Sequence, residues 1–165
     1  LVDLAHKKGP SRLVSSASTI VWKEHTDSFT INEPLIEKLD LVGMNEYFGW
    51  YDWTAREVPN ANWDVDFGKP VIVSETGGGC LAGNHGSPDA RFTEENLVLI
   101  YEGQIEMVSR IPQLRGFAPW LLKDFRSHQR LLDGRQDMYN RKGLVSDEGV
   151  RKDAFKVLQQ WYNSF

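Results

Sequence analysis

The sequence has a single cysteine, Cys80, in 165 residues. That excludes an internal disulfide framework and leaves the redox compartment open. Positive charge is not in excess either. A formal net charge of −4 excludes a general binder of nucleic acid or anionic membrane, because like charges repel. No run approaches 18 uninterrupted apolar residues, so no membrane-spanning helix is expected. A Gly-rich phosphate loop of either standard spacing is missing. His6, His25, His85 and His128 show no paired ligand spacing, so no metal site is expected, and no organic cofactor is implied. There is also no initiator Met and no charged-then-apolar leader. The chain opens on "LVDLAHKKGP", which has the pattern of the closing turns of an amphipathic helix stopped by Gly9-Pro10. A chain that starts inside a helix is expected to be a piece of something longer.

What the sequence does contain is an ordinary globular composition, 41% hydrophobic and 25% charged, enough for one domain with a substantial core. Six Trp and five Tyr suit either sugar-stacking surfaces or the aromatic edges of that core. Four segments have the pattern of strands: 12–19, 40–47, 69–75 and 114–122. Between them lie helical stretches. Pro34 to Leu39 is a short one, with Asn32 as N-cap and Pro34 in the first turn. Thr93 to Arg110 is the clearest, with Thr93 as cap, Glu94 and Glu95 at the positive end of the dipole, and Leu97, Ile100 and Val108 on the apolar face. Arg151 to Tyr162 carries Ala154, Leu158 and Trp161 at helical spacing. Strands alternating with helices imply parallel strands joined by crossovers.

No linker and no internal repeat divides the chain, so residues 1–165 are expected to form one α/β unit. Four β/α units are half of a TIM barrel, whose full set takes about 250 residues. A four-stranded open sheet of the flavodoxin kind is the alternative. Long loops after the strands and polar residues at their C-terminal ends favour the barrel, though open sheets also bind ligands at that edge.

The strand ends carry the chemistry. In "KPVIVSETGGG", Glu75 follows an apolar run where packing would prefer Val or Ile. A carboxylate there costs free energy unless it is paired or used. It is either a salt-bridged structural glutamate or a nucleophile or acid/base group, with the glycines keeping its approach uncrowded. In "GMNEYFGWY", alternation puts Asn45 and Tyr47 on one face and Glu46 on the other. The Tyr47 hydroxyl could then hydrogen-bond a facing carboxylate. In "GFAPWLLKDF", Trp120 is either a packing residue or an aromatic floor.

Taken in order, "LVGMNEYFGWY", "GKPVIVSETGGG", "GFAPWLLKDF" and "YNRKGLVSDEGVRKDAFKVLQQWY" closely resemble the C-terminal half of the catalytic TIM barrel of glycoside hydrolase family 2, the family of β-glucuronidases and β-galactosidases. The resemblance covers nearly the whole chain and implies strands five to eight only, a half-barrel. It implies that Glu75 is the catalytic nucleophile and that Tyr47 touches it, with Asn45 as its polar partner. It makes Trp120 the aromatic lining the sugar subsite. Asn140 and Lys142 match an Asn-x-Lys pair that binds a substrate carboxylate in β-glucuronidases. A Lys ammonium is a compact charge suited to that role. The implied partner is a carbohydrate, a β-glucuronide ahead of a β-galactoside. One departure is Thr76, where the family usually has an aromatic.

Retaining glycosidases need a second carboxyl group about 5–5.5 Å from the nucleophile. "TINEP" offers Glu33, but it lies only 42 residues before Glu75, room for one β/α unit where the family places about three strands' worth of chain. Asn32-Glu33-Pro34 also has the pattern of a helix start. Glu46 should point away from Glu75. The acid/base residue is therefore expected outside these residues, and the chain alone is expected to be inactive. A half-barrel would also expose two unpaired parallel edges, at its first and last strands, through which copies could associate.

Overall fold

The computed structural model describes all of residues 1–165. A mostly parallel sheet organises it. Helix α1 (Val2–Lys8) leads into β1 (Ala17–Lys23), β2 (Ser28–Ile31), β3 (Val42–Asn45) and β4 (Val71–Glu75). Helix α2 (Glu94–Val108) and β5 (Leu114–Phe117) follow, then two short strands, β6 (Phe125–Arg126) and β7 (Tyr139–Asn140), and α3 (Asp153–Tyr162). The sheet order is β2-β1-β3-β4-β5, and β6 and β7 form a separate antiparallel pair. Strands β1, β3, β4 and β5 are mutually parallel, while β2 runs antiparallel beside β1. No helix is long and apolar enough to cross a membrane.

Alternation explains the packing. Val42 and Met44 on β3 and Val71 and Val73 on β4 are fully buried against Leu97, Tyr101 and Met107 of α2. Ile72, Ser74 and Asn45, on the opposite face, are only half-buried. Helix α2 starts where the sequence places it, because the Thr93 hydroxyl accepts the Asn96 N–H at 3.1 Å. Helix α3 packs beside it and buries Ala154 and Leu158.

Three expectations need correcting. The first strand is Ala17–Lys23 rather than 12–19, because β2 draws the chain onward through the pairs Ile20 with Ile31 and Trp22 with Phe29. Asp27, left-handed at φ 50°, makes the turn between the two strands. Strand β2 also covers the outer edge of β1, so the parallel strands leave one open edge, at β5, and not two. Finally, Asn32 does not cap the turn after β2. That turn is a 3-10 helix, Pro34–Lys38, preceded by Glu33 in extended backbone.

Candidate active site

Glu75 is the last residue of β4, opposite Asn45 of β3 across a bulge at Met44/Asn45. The bulge turns the chain so that Tyr47 reaches over, and its hydroxyl donates to Glu75 Oε2 at 2.9 Å. Burial and the Glu75 carboxylate together push the Tyr47 phenol far above its ordinary range, so it stays a donor. Backbone hydrogen bonds then fix the strand ends to one another. Glu46 N–H donates to the Glu75 carbonyl at 3.0 Å, Trp120 N–H to the Thr76 carbonyl at 2.7 Å, and Leu121 N–H to the Lys142 carbonyl at 3.0 Å.

The glycines after Glu75 pack closely instead of leaving a loose approach. Gly77, at φ 128°, lies under Tyr101, where a Cβ would come within 2.3 Å of the hydroxyl. Thr76 is fully buried and stands outside the wall of the site cavity, so the departure from the family pattern falls beneath the site.

Glu75, Tyr47, Trp120, Asn140 and Lys142 line one cavity of about 390 Å³, within the size range of small-molecule sites. Five of the six residues singled out in the sequence therefore meet there. Asn45 stands aside: its Oδ1 accepts the Ser74 hydroxyl at 2.8 Å. Glu75 is the one acidic residue in the cavity wall. Glu33 is engaged elsewhere, accepting the Thr19 N–H at 2.9 Å. Glu46 is buried, with Oε2 on the Phe48 N–H at 3.0 Å. Burial pushes its carboxyl up to about 7, tempered by the neighbouring Thr76 hydroxyl and by that N–H. Below the strand ends Glu46 Oε1, Thr76 Oγ1 and Tyr101 Oη have no well-formed hydrogen bond.

Lys142 is 5% exposed and enclosed by aromatic faces. Its Nζ lies 3.9 Å from the Tyr47 ring centroid and 4.1 Å from that of Tyr51, a favourable site for a cation. Burial, then the nearby Arg130 and Arg91 guanidiniums, lower its ammonium to about 7, against the opposing pull of Glu75. The Asn140 Oδ1 accepts the Lys142 N–H at 3.1 Å and shapes the turn that aims it.

Behind that turn is a buried ionic hub. Lys152 Nζ donates to Asp124 Oδ1 at 2.9 Å and to the carbonyls of Cys80 and Arg141. Gly143 N–H also reaches Asp124 Oδ1, at 2.7 Å. Gly143 must be glycine, since a Cβ would meet the Asp124 nitrogen at 2.3 Å.

Sequence reasoning missed Arg130 and Phe125, which also line the cavity. Both belong to the long segment between β5 and α3, where neither hydrophobic period nor charge spacing separates a site residue from a solvated one.

No family model matches the chain. Among curated proteins it is 28% identical to a β-glucuronidase of Paenibacillus borealis, over 96% of this chain and 26% of that protein. It is 31% identical to a β-glucuronidase of Streptococcus agalactiae, over 78% of this chain and 22% of that protein. The chain thus spans about a quarter of the length of these relatives. Among solved structures it is similar to a family GH2 β-galacturonidase from Eisenbergiella tayi bound to galacturonate. There the TM-score is 0.75 at 23% identity, over 99% of this chain and 29% of that one. A β-glucuronidase of Bifidobacterium dentium complexed with coumarin-3-O-glucuronide gives a TM-score of 0.75 at 24% identity, covering 98% and 26% of the two chains. The ordered motifs, the curated likenesses and the shared fold point the same way: the chain is similar to β-glucuronidases over most of its length and has the fold of part of a family GH2 enzyme.

Proposed function

We propose that this chain supplies the nucleophile and the carboxylate-binding wall of a retaining exo-β-glycosidase, with a β-glucuronide as substrate. The observation that carries the reading is one cavity holding Glu75, bound by Tyr47, together with the enclosed Lys142. Glu75 attacks the anomeric carbon and forms a glycosyl ester as the leaving oxygen departs. Tyr47 donates to the carboxylate and orients it for attack. Lys142, with Asn140 setting its turn, binds the uronate carboxyl as a point charge, and Trp120 supplies an apolar wall for the sugar ring.

Protonating the leaving oxygen, and later activating water to cleave the ester, needs a second carboxyl group about 5–5.5 Å away. No second acid of this chain lines the cavity, so we assign that group to sequence outside these residues. The parallel strands are accordingly read as strands five to eight of a (β/α)8 barrel. A β-galactoside, neutral at its C6 position, would leave Lys142 without a partner, which ranks it below the glucuronide.

The test is hydrolysis of matched chromogenic β-glucuronide and β-galactoside substrates by a polypeptide that completes this chain with the rest of the length its relatives have. Glucuronide turnover should fall on the order of 10⁶-fold in Glu75→Gln, as for a removed nucleophile. Lys142→Ala should weaken glucuronide turnover and spare any galactoside turnover. Activity surviving Glu75→Gln would refute the nucleophile. Equal loss on both sugars in Lys142→Ala would refute the carboxylate clamp.

A further inference from the structure

A second cavity, of about 370 Å³, adjoins the one at Glu75. The two share Tyr51, Arg130 and Lys142 in their walls. Charge in the second cavity is one-sided: Arg91, Arg130, Arg141 and Lys142 line it, and no carboxylate does. Arg141 is already committed, since its guanidinium pairs with Asp147 and lies 3.5 Å from Asp124. The other three cations close no ion pair with any acid of this chain. Arg91 instead lies over Trp50, with its Cζ 3.9 Å from the ring centroid.

Three unpaired cations from three separate loops therefore converge in a chain whose net charge is −4. Crowding like charges is unfavourable, and Arg130 and Arg91 add to the burial that lowers Lys142. One uronate carboxylate at Lys142 would still leave Arg91 uncompensated on the far side of the second cavity. Guanidinium groups present forked donors that match carboxylate and sulfate oxygens.

We propose that the second cavity is an anion subsite, taking a second acidic group, carboxylate or sulfate ester, on the same ligand whose uronate meets Lys142. The inference rests on the uronate reading for the ligand as a whole, but the subsite itself is read by an anion alone.

The test begins with inorganic sulfate, titrated into the 165-residue chain while the Trp50 indole resonance is followed by NMR. Saturable shifts are expected, weakened on the order of tenfold, the scale of one charged hydrogen bond, in Arg91→Gln and in Arg130→Gln. Arg91→Lys should retain part of the response, since the charge survives and the fork does not. Sulfate that leaves Trp50 unmoved would overturn the subsite, whatever glucuronide turnover shows. Glucuronate, a disaccharide of two uronates and a sulfated glucuronate are then compared. A doubly acidic ligand should bind about tenfold tighter than glucuronate, with that advantage lost in Arg91→Gln. Whichever of the two binds tighter identifies the source of the second group. Equal affinities for all three ligands in wild type and variant would refute the proposal.

Discussion

The sheet with α2 and the segment from Ala118 to Lys152 are held together by opposite means. Under α2, burial is mostly apolar and periodic: Val42, Met44, Val71 and Val73 face Leu97 and Met107, and Tyr101 and Gln104 are the fully buried polar side chains of that helix. The later segment has just two strands of two residues each, and its order rests on Lys152, Asp124 and backbone carbonyls. Apolar packing tolerates local adjustment, because each contact is small and non-directional. A buried ionic hub does not, because removing one member strands the others without water. The site draws on both regions, with Glu75 on the periodic one and Arg130 and Lys142 on the polar one.

Lys152→Ala should have the largest effect on the polar segment. It leaves Asp124 buried beside Arg141 alone and should cost about 3–5 kcal/mol. Urea denaturation measures the loss, and the Lys142 turn should be disturbed with it. Leu97→Ala tests the other region, with a cost of about 2–5 kcal/mol for a buried leucine. It should lower the urea midpoint while leaving the affinity for glucuronate unchanged, whereas Lys152→Ala should degrade both.

Glu46, buried near Thr76 and Tyr101, gives a pH test. Its folded value of about 7 stands above the ordinary 4.5, so the folded state holds its proton more tightly. The stability this contributes is fully present below about pH 4.5 and lost as pH rises through 7, a change of about 3 kcal/mol at most. Glu46→Gln should remove that part of the pH dependence of unfolding, measured by denaturant titration at several pH values. An unchanged pH profile would mean that the carboxyl is not held protonated.

The smallest effect is expected at Lys142, whose ammonium is lowered to about 7 by burial, then by Arg130 and Arg91, against the opposing pull of Glu75. Anion binding needs the charged form. Affinity for glucuronate should therefore be highest below about pH 7 and fall about tenfold per unit above it. Calorimetry in buffers of different ionisation enthalpy should also detect proton uptake on binding. A flat affinity across that range would place the carboxylate elsewhere.

Much of this was legible beforehand, and for identifiable reasons. Glu75 stood out because a carboxylate ending a β-branched run is costly unless it has a purpose. The cap at Thr93 and the apolar face behind it gave α2 nearly to the residue. Tyr47 and Glu46 do part to opposite sides, but the bulge at Met44/Asn45 sets this, since β3 ends at Asn45 before either of them. Strand β2 was not legible, since Ser28–Ile31 is four residues long and becomes a strand through its pairing with β1. Arg91 and Arg130 were not legible either, because an arginine in a loop looks alike in sequence whether it faces bulk solvent or a cavity.

Short-range periodicity and chain stereochemistry are enough to set the parallel strands, the main helices and the position of the carboxylate at a strand end. Tertiary structure alone decided which cations surround Lys142, how Lys152 holds their turn, and that β2 covers one edge of the sheet. Those outcomes depend on contacts between residues far apart in the chain, and the local pattern of neither partner encodes the other.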